Sequence, residues 1–368
     1  MLHAPRRILI VRLSHLGDVV HGLPVLRALR RAHPRARIGW VVQPEFADIL
    51  AGHPDLDEVI LFERRAGFAA WVRLERELTR FGADWTVDAQ GNTKSALVAL
   101  SARAPRRSGM ARADWREPFA ASTLTDSAPA AARSADGSVH AVDRMLALAR
   151  HVAPDIDVAD LASNLWPTPV ASARDLFAHT DRERYAILHL AGAEDVRSWP
   201  ATSFAELARD LARDHEVVIV SGPLEREAGL RLAQELHALQ GLQHWPGQTG
   251  LGELRAAFQS AALKHAVFVG CDSGPLHVAW AAGMRVVLLA GPQDSRRTGP
   301  WPPPERDGPD ARHRIVRATN SPECAPCLAR RCTHPAGNVC MQRIEPGTVA
   351  RAVRALTVKS PTVFATAP

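Results

Sequence analysis

The chain has 368 residues, and its hydrophobic content of 46% and charged content of 23% are ordinary for a soluble globular protein of about two domains. No apolar run approaches the roughly 20 residues that cross a bilayer, and the N-terminus lacks the pattern of a signal peptide, so we expect a cytoplasmic protein. The net charge is +6 and nearly all of it is arginine, which favours an anionic partner or membrane surface, whereas scattered charge without a recognised motif argues against nucleic acid.

The segment 7–34 predicts a strand, a polar turn and a helix in succession. Residues 8–11 form an apolar run typical of a buried parallel strand, and helical spacing follows from Val19 onward. The turn between them places Asp18 where the helix begins, beside Gly17, at the sheet edge where α/β proteins bind ligands. From this pattern alone two interpretations of Asp18 are open, a helix cap or a carboxylate that takes part in chemistry.

Alternating strands and helices predict two doubly wound α/β halves. The expected strands are residues 8–11, 37–42, 58–61 and 85–88 in the first half, and 185–190, 216–220, 266–269 and 286–290 in the second. The polar segment 108–140 predicts long loops that line a cleft, and the Pro-containing stretch 165–169 predicts the start of a linker. Each of the last three strands precedes a Gly-containing turn, which indicates a ligand site along one edge of the second sheet.

The segment 271–277, CDSGPLH, carries the second informative pattern. A strand ends before it and Pro275 suits the first turn of a helix, where backbone N–H groups attract phosphate oxygens. The hydroxyl of Ser273 adds a donor, and we favour a diphosphate site over an ordinary helix cap by Asp272 or Ser273. The sequence contains neither the glycine pattern of dinucleotide-binding folds nor a P-loop.

Four of the five cysteines lie within residues 321–341, a polar and Pro-rich stretch. Tetrahedral sulfur coordination suits Zn²⁺, and Fe uses the same ligands, so the metal-ligand candidates are Cys324, Cys327, Cys332 and Cys340. A cytoplasmic setting disfavours disulfides and supports a structural metal site, while redox-sensitive free thiols remain the alternative. The fifth cysteine, Cys271, is expected to serve packing.

Several segments together resemble the ADP-heptose:lipopolysaccharide heptosyltransferases of glycosyltransferase family 9. They occur in the same order between residues 7 and 356: SHLGDVVHGLPVLRALRRAHP, DAQGNTKSALVA, RSWP, GQTGLGELRAAF and CDSGPLHVAWAAG. Two further segments, GMARADWREPFA and HAVDR, are more similar to heptosyltransferase I than to its relatives. The set as a whole carries the resemblance, and no single segment would suffice.

The resemblance implies a GT-B fold, in which two Rossmann-like domains face each other across an active-site cleft. We accordingly expect an acceptor-binding domain over residues 1–165, a linker over 166–180 and a nucleotide-sugar-binding domain over 181–345 with the Cys-rich loop 321–341. A C-terminal helix over 346–357 would pack back near the first domain, and residues 358–368 would form a tail.

The implied reaction is an inverting transfer of heptose from ADP-heptose to 3-deoxy-manno-octulosonic acid (Kdo) or heptose of the lipopolysaccharide inner core. It requires no cofactor for catalysis. Asp18 matches the family's aspartate that takes the proton of the acceptor hydroxyl as a general base. The matching nucleotide-sugar residues are Arg197, which stands where relatives often carry Lys, and Asp272, Ser273, Gly274 and His277.

Four basic residues match acceptor positions of heptosyltransferase I: Lys94, Arg116, His140 and Arg144. An acceptor with carboxylates and phosphates gives such residues a purpose, and the alternative is that each is a solvated surface charge. The implied partners are ADP-heptose and a lipid-anchored Kdo or lipopolysaccharide core acceptor. The protein would act peripherally on the cytoplasmic face of the inner membrane.

Two alternatives make different predictions. A family 9 enzyme with another nucleotide sugar or another acceptor, such as a second heptose site or a protein hydroxyl, would keep Asp18 and the phosphate motif. A non-catalytic binding or metal-sensing protein organised around the Cys-rich loop would not need Asp18. The matched donor and acceptor residues argue against this second alternative.

Overall fold

Two parallel six-stranded sheets form the framework of the protein in a computed structural model. The structure describes residues 4–64, 66–134, 136–158, 160–162, 165–166, 175–177, 182–191, 195–245, 250–308 and 311–357. Most of the expected linker 166–180 and the whole of the expected tail 358–368 lie outside these residues.

The first sheet and its helices come from the N-terminal part of the chain. The strands are β1 (Arg7–Val11), β2 (Arg37–Val42), β3 (Glu58–Leu61), β4 (Trp85–Asp88), β5 (Arg106–Gly109) and β6 (Asp126–Ser127). The α-helices are α1 (Leu16–Ala32), α2 (Pro44–Ala47), α3 (Gly67–Phe81), α4 (Thr93–Ser101) and α5 (Ala141–Val152). Short 3-10 helices occupy Asp48–Leu50, Arg112–Asp114 and Pro118–Thr123.

The second sheet and its helices follow in the C-terminal part. The strands are β7 (Tyr185–Leu190), β8 (Glu216–Ser221), β9 (Leu242–Trp245), β10 (Val267–Cys271), β11 (Arg285–Leu289) and β12 (His313–Val316). The first four helices are α6 (Ala201–Leu211), α7 (Arg226–Glu235), α8 (Leu251–Leu263) and α9 (Gly274–Ala281). They are followed by α10 (Ser295–Thr298), α11 (Pro304–Asp307), α12 (Val339–Gln342) and α13 (Pro346–Thr357).

Both sheets have the doubly wound strand order, which determines where ligands can bind. The first sheet runs β3-β2-β1-β4-β5-β6, and the second repeats this order as β12-β11-β10-β7-β8-β9. In each sheet the direction of winding reverses at the central pair, β1 with β4 or β7 with β10. Crevices for ligands open at the carboxyl ends of such pairs.

The central strands are apolar because helices cover both of their faces. In β1 every residue after Arg7 is fully buried, and all five residues of β10 are buried as well. Such strands read as continuous hydrophobic runs rather than alternating ones. The two runs therefore end abruptly at polar residues, Arg12 in the first sheet and Asp272 in the second.

The structure confirms the predicted α/β class and all eight predicted strands, with bounds that differ by at most two residues. The sequence did not predict β5, β6, β9 and β12, which are short strands towards or at the sheet edges. They carry polar residues on partly exposed faces, so they lack a continuous apolar run. The segment 108–140 begins with the last two residues of β5 and otherwise consists, among its described residues, of loops, two 3-10 helices and the two-residue strand β6.

Helix α13 corrects one implication of the resemblance. It packs on α6 and against β10, β11 and β12, all of which belong to the second half of the chain. Arg354 attaches it there, because its guanidinium binds the carboxylates of Asp210 and Asp214 at 3.0 and 2.9 Å. The helix therefore completes the second layer of helices instead of returning to the first domain.

Buried histidines make the fold sensitive to acid, and His189 on β7 is the simplest case. Its ring stacks on that of Phe268 with the ring centroids 5.9 Å apart, and burial lowers its pKa to about 4. In the unfolded chain this histidine has a pKa of about 6.5, so below that pH it takes up a proton more readily when the chain is unfolded. Its contribution to the unfolding free energy is therefore fully present above pH 6.5 and is lost as the pH falls towards 4. Between pH 7 and pH 5 the unaltered protein should lose about 2 kcal/mol more unfolding free energy than the His189→Phe variant.

Urea denaturation at pH 7, 6 and 5 measures this difference. The matched control is His237→Gln, which removes a histidine that is exposed on the surface. Equal pH dependence in His189→Phe and the unaltered protein would contradict the assignment of acid sensitivity to this residue.

Candidate active site

A cavity of about 340 Å³ lies between the two halves of the chain. The first half contributes residues that follow the carboxyl ends of β1, β4 and β5, and the second half contributes residues that follow β11. Its lining residues are Arg12, Asp18, Gln90, Met110, Asp114, Ala141, Arg144, Met145, Gln293, Asp294, Arg297, Thr298 and Leu328. The cavity therefore occupies the crevice that the doubly wound topology predicts.

Asp18 lies at the mouth of this cavity in the first turn of α1. Its side chain is 38% exposed, and its Oδ1 forms an ion pair with Arg12 Nη2 at 2.9 Å. Arg12 also donates from Nε to the Asp18 carbonyl oxygen at 2.9 Å. The exposed imidazole of His15 lies on the other side, with Nδ1 3.5 Å from Asp18 Oδ2.

The environment of Asp18 keeps its carboxyl group ionised. Burial by itself raises the pKa of Asp18, but the charge of Arg12 and the hydrogen bond from His15 outweigh burial. The pKa consequently lies well below its ordinary value, so the group is a carboxylate throughout the neutral range. It can accept a proton from a hydroxyl group whose acidity rises as that oxygen forms a new bond.

The interpretation of Asp18 as a helix cap is wrong. The N-cap residue of α1 is His15, and no side chain caps this helix end by a hydrogen bond. The carboxylate is instead held by Arg12 and His15 at the cavity edge. Its place in the first helical turn adds a favourable interaction with the helix dipole.

The turn between β10 and α9 presents a hydroxyl without a partner. Ser273 is the N-cap residue of α9, yet its side chain forms no cap hydrogen bond. Its Oγ is buried and has no hydrogen-bond partner within the part of the chain that the structure describes. Ser273 therefore keeps a donor beside the N–H groups of a helix start, which are suited to bind phosphate oxygens.

Asp272 holds this turn by contacts within the second half. Its Oδ1 lies 3.1 Å from His277 Nε2, and its Oδ2 accepts a hydrogen bond from Thr298 Oγ1 at 2.8 Å. Burial is the largest single influence and raises the pKa of Asp272. The hydrogen bonds with His277 and Thr298 and the positive charges nearby together outweigh burial, so the pKa is lowered. Asp272 is thus an anchor that links α9 and α10.

Arg197 lies beside the same turn and is already engaged. Its Nη1 donates to the Asp272 carbonyl oxygen at 2.6 Å, and its Nε donates to Asp195 Oδ1 at 2.8 Å. Its Nη2 bonds the second oxygen of Asp195, and these hydrogen bonds raise the pKa of Arg197. The guanidinium remains 35% exposed, so one face can meet an anion without breaking the pair.

The two halves of the chain touch directly between the first turn of α1, which carries Asp18, and the turn between β10 and α9, here called the phosphate-type turn. A Cβ added to Gly17 would lie 2.4 Å from His277 Cδ2, and one added to Gly274 would lie 2.8 Å from Leu16 Cδ2. His21 from α1 packs edge-on against His277 with ring centroids 4.5 Å apart. Helices α1 and α9 therefore approach so closely that only glycine fits at both positions.

Of the four basic residues expected to bind the acceptor, only Arg144 borders the cavity. Its Nε lies 3.2 Å from Asp114 Oδ1. His140 is buried, where Nδ1 accepts from the Val142 N–H and Nε2 lies 3.0 Å from the Gly299 carbonyl oxygen.

The other two basic residues of this set, Lys94 and Arg116, lie on the surface. Lys94 is exposed on the first turn of α4, and the Arg116 side chain is 79% exposed, 3.5 Å from Glu117. The structure thus brings Arg144 to the site, gives His140 a helix-capping contact and leaves Lys94 and Arg116 at the protein surface.

The four cysteines of the Cys-rich loop border one small cavity. Its volume is about 20 Å³, and its lining includes Cys324, Cys327, Cys332, Cys340 and His334. Cys340 is buried and the other three are exposed. Among the described residues, no group of three or more His, Cys, Asp or Glu side chains is arranged to hold a metal ion. Cys271 is fully buried at the end of β10, which raises its thiol pKa to about 12 and makes it unreactive.

Sequence patterns alone did not identify several residues of the site. Arg12 directly follows the first strand, so its position at a sheet edge was a clue that could have been used. Thr298 and Leu328 carry no such clue, because they follow irregular segments that reach the cavity only in the folded chain. Residues 247–249, the start of the segment GQTGLGELRAAF, lie outside the described residues.

Comparison with known proteins gives consistent matches. The profile of "Glycosyltransferase family 9 (heptosyltransferase)" matches residues 71–335. Lipopolysaccharide heptosyltransferase 1 of Pseudomonas aeruginosa is 27% identical over 387 residues, which cover 97% of this chain and 99% of that protein.

Solved structures have the same fold. A family 9 glycosyl transferase from Veillonella parvula matches with a TM-score of 0.74 and 21% identity, covering 95% of this chain and 97% of that one. Escherichia coli heptosyltransferase WaaC with ADP matches with a TM-score of 0.69 and 24% identity, covering 95% and 100%. The fold is therefore of the GT-B type. Within the described residues, no helix combines the length and apolar character needed to cross a membrane.

Proposed function

This chain belongs to glycosyltransferase family 9, and from that premise we propose that it transfers heptose from ADP-heptose to the Kdo-containing inner core of lipopolysaccharide. The observation that carries the proposal is the position of Asp18. An ionised carboxylate of the first half faces the cleft at the point where α1 meets the phosphate-type turn before α9. The name of the Pseudomonas aeruginosa relative supports the choice of heptose and lipopolysaccharide.

In the proposed reaction, Asp18 is the general base. The acceptor hydroxyl oxygen attacks the anomeric carbon of heptose and forms the new C–O bond, and its proton passes to Asp18. The bond from that carbon to the diphosphate oxygen breaks at the same time, and ADP leaves with the electron pair. Attack from the face opposite the leaving group inverts the anomeric centre. Arg12 and His15 position the carboxylate for this step.

The second half would hold the leaving diphosphate. The N–H groups at the start of α9, including that of Gly274, and the unpaired Ser273 hydroxyl supply donors, and the exposed face of Arg197 supplies positive charge. Donors fixed in advance stabilise charge that develops on the leaving group without reorganisation. Asp272 and His277 keep the turn in place by their mutual contact.

The acceptor would approach from the first half. Arg144 borders the cavity and is the nearest candidate for a Kdo carboxylate, whereas Lys94 and Arg116, which lie on the surface, would bind phosphates or lipid headgroups. His140 would act indirectly, because it caps α5, the helix that carries Arg144. A lipid-anchored acceptor places the enzyme peripherally on the cytoplasmic face of the inner membrane.

ADP release by the purified protein tests the proposal. The panel pairs several nucleotide sugars with truncated core acceptors, and we expect turnover with ADP-heptose and a heptose-free Kdo-lipid acceptor. Turnover only with another sugar would refute the donor, and turnover only with a heptose-bearing core or a protein hydroxyl would refute the acceptor. Absence of turnover with every pair would refute the enzymatic role.

We also propose that the Cys-rich loop holds a structural Zn or Fe ion through Cys324, Cys327, Cys332 and Cys340. The support is that all four thiols border the same small cavity, and thiolates are the ligands that both metals accept. Three of the side chains are exposed and would have to turn inward to coordinate. The ion would order the loop and take no part in group transfer.

Elemental analysis of reduced protein purified without added metal tests this second proposal. We expect close to stoichiometric Zn or Fe, and loss of that metal in a Cys324→Ser, Cys327→Ser double variant. A double variant with its metal content unchanged, or unaltered protein free of both metals, would contradict the site.

A further inference from the structure

The Cys-rich loop contributes one residue to the cavity that Asp18 borders. Leu328 lies between the second and third cysteines of that loop, and it borders the same cavity as Asp18, Gln90 and Arg144. Its side chain is apolar and 44% exposed, which is unusual beside so many charged groups. The first sheet and the sheet edge after β11 thus form two walls of the cavity, and the Cys-rich loop forms a third.

The backbone at Leu328 is held in an unfavourable conformation. Its φ angle is 56°, in the left-handed region that leucine rarely adopts. The Leu328 N–H donates to the Pro292 carbonyl oxygen at 2.8 Å, which fixes the loop to the turn that also carries Gln293 and Asp294 into the cavity. Strain of this kind persists where the surrounding structure imposes it, and it is concentrated at functional sites.

Two residues further on, the same loop carries Arg330. Arg330 is exposed, and its charge acts on His15, the residue that contacts Asp18. The hydrogen bond to Asp18 raises the pKa of His15, and the positive charge of Arg330 opposes that rise. Arg330 is therefore near enough to the start of α1 for its charge to reach His15, and it lies two residues from Leu328, which borders the cavity.

We infer that Leu328 and Arg330 form part of the acceptor site, with Leu328 packing on the acceptor sugar next to Asp18 and Arg330 binding an anionic group of that acceptor. The inference rests on the proposed function, because it names the residues that select the acceptor of that reaction. It assigns the Cys-rich loop to acceptor recognition in addition to any structural role.

The chemistry of the acceptor explains this pairing. A sugar acid such as Kdo presents an apolar ring face and a carboxylate, so an aliphatic side chain followed closely by a guanidinium matches both. The guanidinium binds carboxylate or phosphate through a planar fork of donors. Leu328 also excludes water from the base, which reduces hydrolysis of the donor in place of transfer.

Steady-state kinetics with both substrates varied separates this role from a structural one. We expect Arg330→Gln to raise the acceptor KM about tenfold, the loss of one charged hydrogen bond, while the donor KM stays within twofold. The matched control is Arg331→Gln, because Arg331 is the neighbouring exposed arginine and should leave both constants unchanged. Equal effects of the two variants would overturn the role of Arg330.

Leu328→Gly tests the apolar wall. Glycine adopts a φ of 56° freely, so this variant should unfold at the same or a higher urea concentration while its acceptor KM rises about tenfold. We expect Leu328→Met to recover most of the acceptor affinity. A normal acceptor KM in Leu328→Gly would overturn the inference.

The proposed function and this inference fail in different measurements. The proposed function fails if the unaltered protein does not turn over ADP-heptose with the Kdo-lipid acceptor. In that case the inference can still be tested, because calorimetry with the deacylated, water-soluble Kdo-lipid acceptor measures acceptor binding without turnover. Weaker binding in Arg330→Gln and Leu328→Gly than in Arg331→Gln supports the inference, and equal binding, or none by the unaltered protein, overturns it.

Discussion

An Asp18→Asn protein is expected to lose heptose transfer by about 10²- to 10⁴-fold while it still binds ADP. The amide has nearly the size of the carboxylate but cannot take the proton of the acceptor hydroxyl. The diphosphate contacts proposed for ADP all belong to the second half of the chain, so the nucleotide should bind with unchanged affinity. Single-turnover transfer and calorimetry with ADP measure the two quantities separately.

The control for this variant must remove an Arg–carboxylate pair without touching the cleft. Asp57 meets this requirement, because it binds Arg30 at 2.5 Å and its side chain is 43% exposed, close to the 38% of Asp18. Asp57→Asn should have normal transfer, and its unfolding curve reports the cost of breaking such a pair. Near-normal transfer by Asp18→Asn, or equal loss in both variants, would refute the assignment of Asp18 as the base.

A Gly17→Ala protein is expected to lose transfer on the order of 10²-fold and about 1–3 kcal/mol of unfolding free energy. The added Cβ would lie 2.4 Å from His277 Cδ2, and that ring cannot move cheaply. His277 is only 5% exposed, it contacts Asp272, and it packs against His21. The variant must therefore push α1 away from α9, which separates the base from the proposed diphosphate site.

Gly347→Ala is the matched control, because Gly347 also lies in the first turn of a helix, α13. The nearest atom to an added Cβ there is Arg351 Nη1 at 3.8 Å, an ordinary contact. Its activity should be normal and its stability equal or slightly higher, since alanine favours helix over glycine. Urea denaturation and the ADP-release assay would show the contrast. Normal transfer in Gly17→Ala would contradict the close contact between the two halves.

The secondary structure was largely predictable because burial acts on local sequence. Central strands such as β1 and β10 are covered on both faces, so they must be apolar throughout, and the pattern is visible without the fold. Edge strands such as β9 and β12 are covered less completely. Their sequences satisfy a weaker constraint, and they were missed.

The candidate site was predictable only in part. The sequence indicated Asp18 and Ser273 because each follows a central strand, and the topology brings such positions to one sheet edge. The resemblance also indicated His140, yet that imidazole is buried and lies against the Gly299 carbonyl oxygen of the other half. No local pattern distinguishes a basic residue that faces the cavity from one that faces the core, because the difference depends on distant chain segments.

By itself the sequence determined the α/β class, the order of the central strands along the chain, the carboxylate at the first turn and the cluster of four cysteines. Only the tertiary structure decided that Arg12 holds Asp18, that Gly17 lies against His277 and that Leu328 borders the same cavity as Asp18. The physical reason is the range of the interactions involved. Burial and helix propensity act on neighbouring residues, whereas pairs such as Gly17 with His277 and Asp18 with Leu328 lie hundreds of positions apart and come together only when the two halves pack.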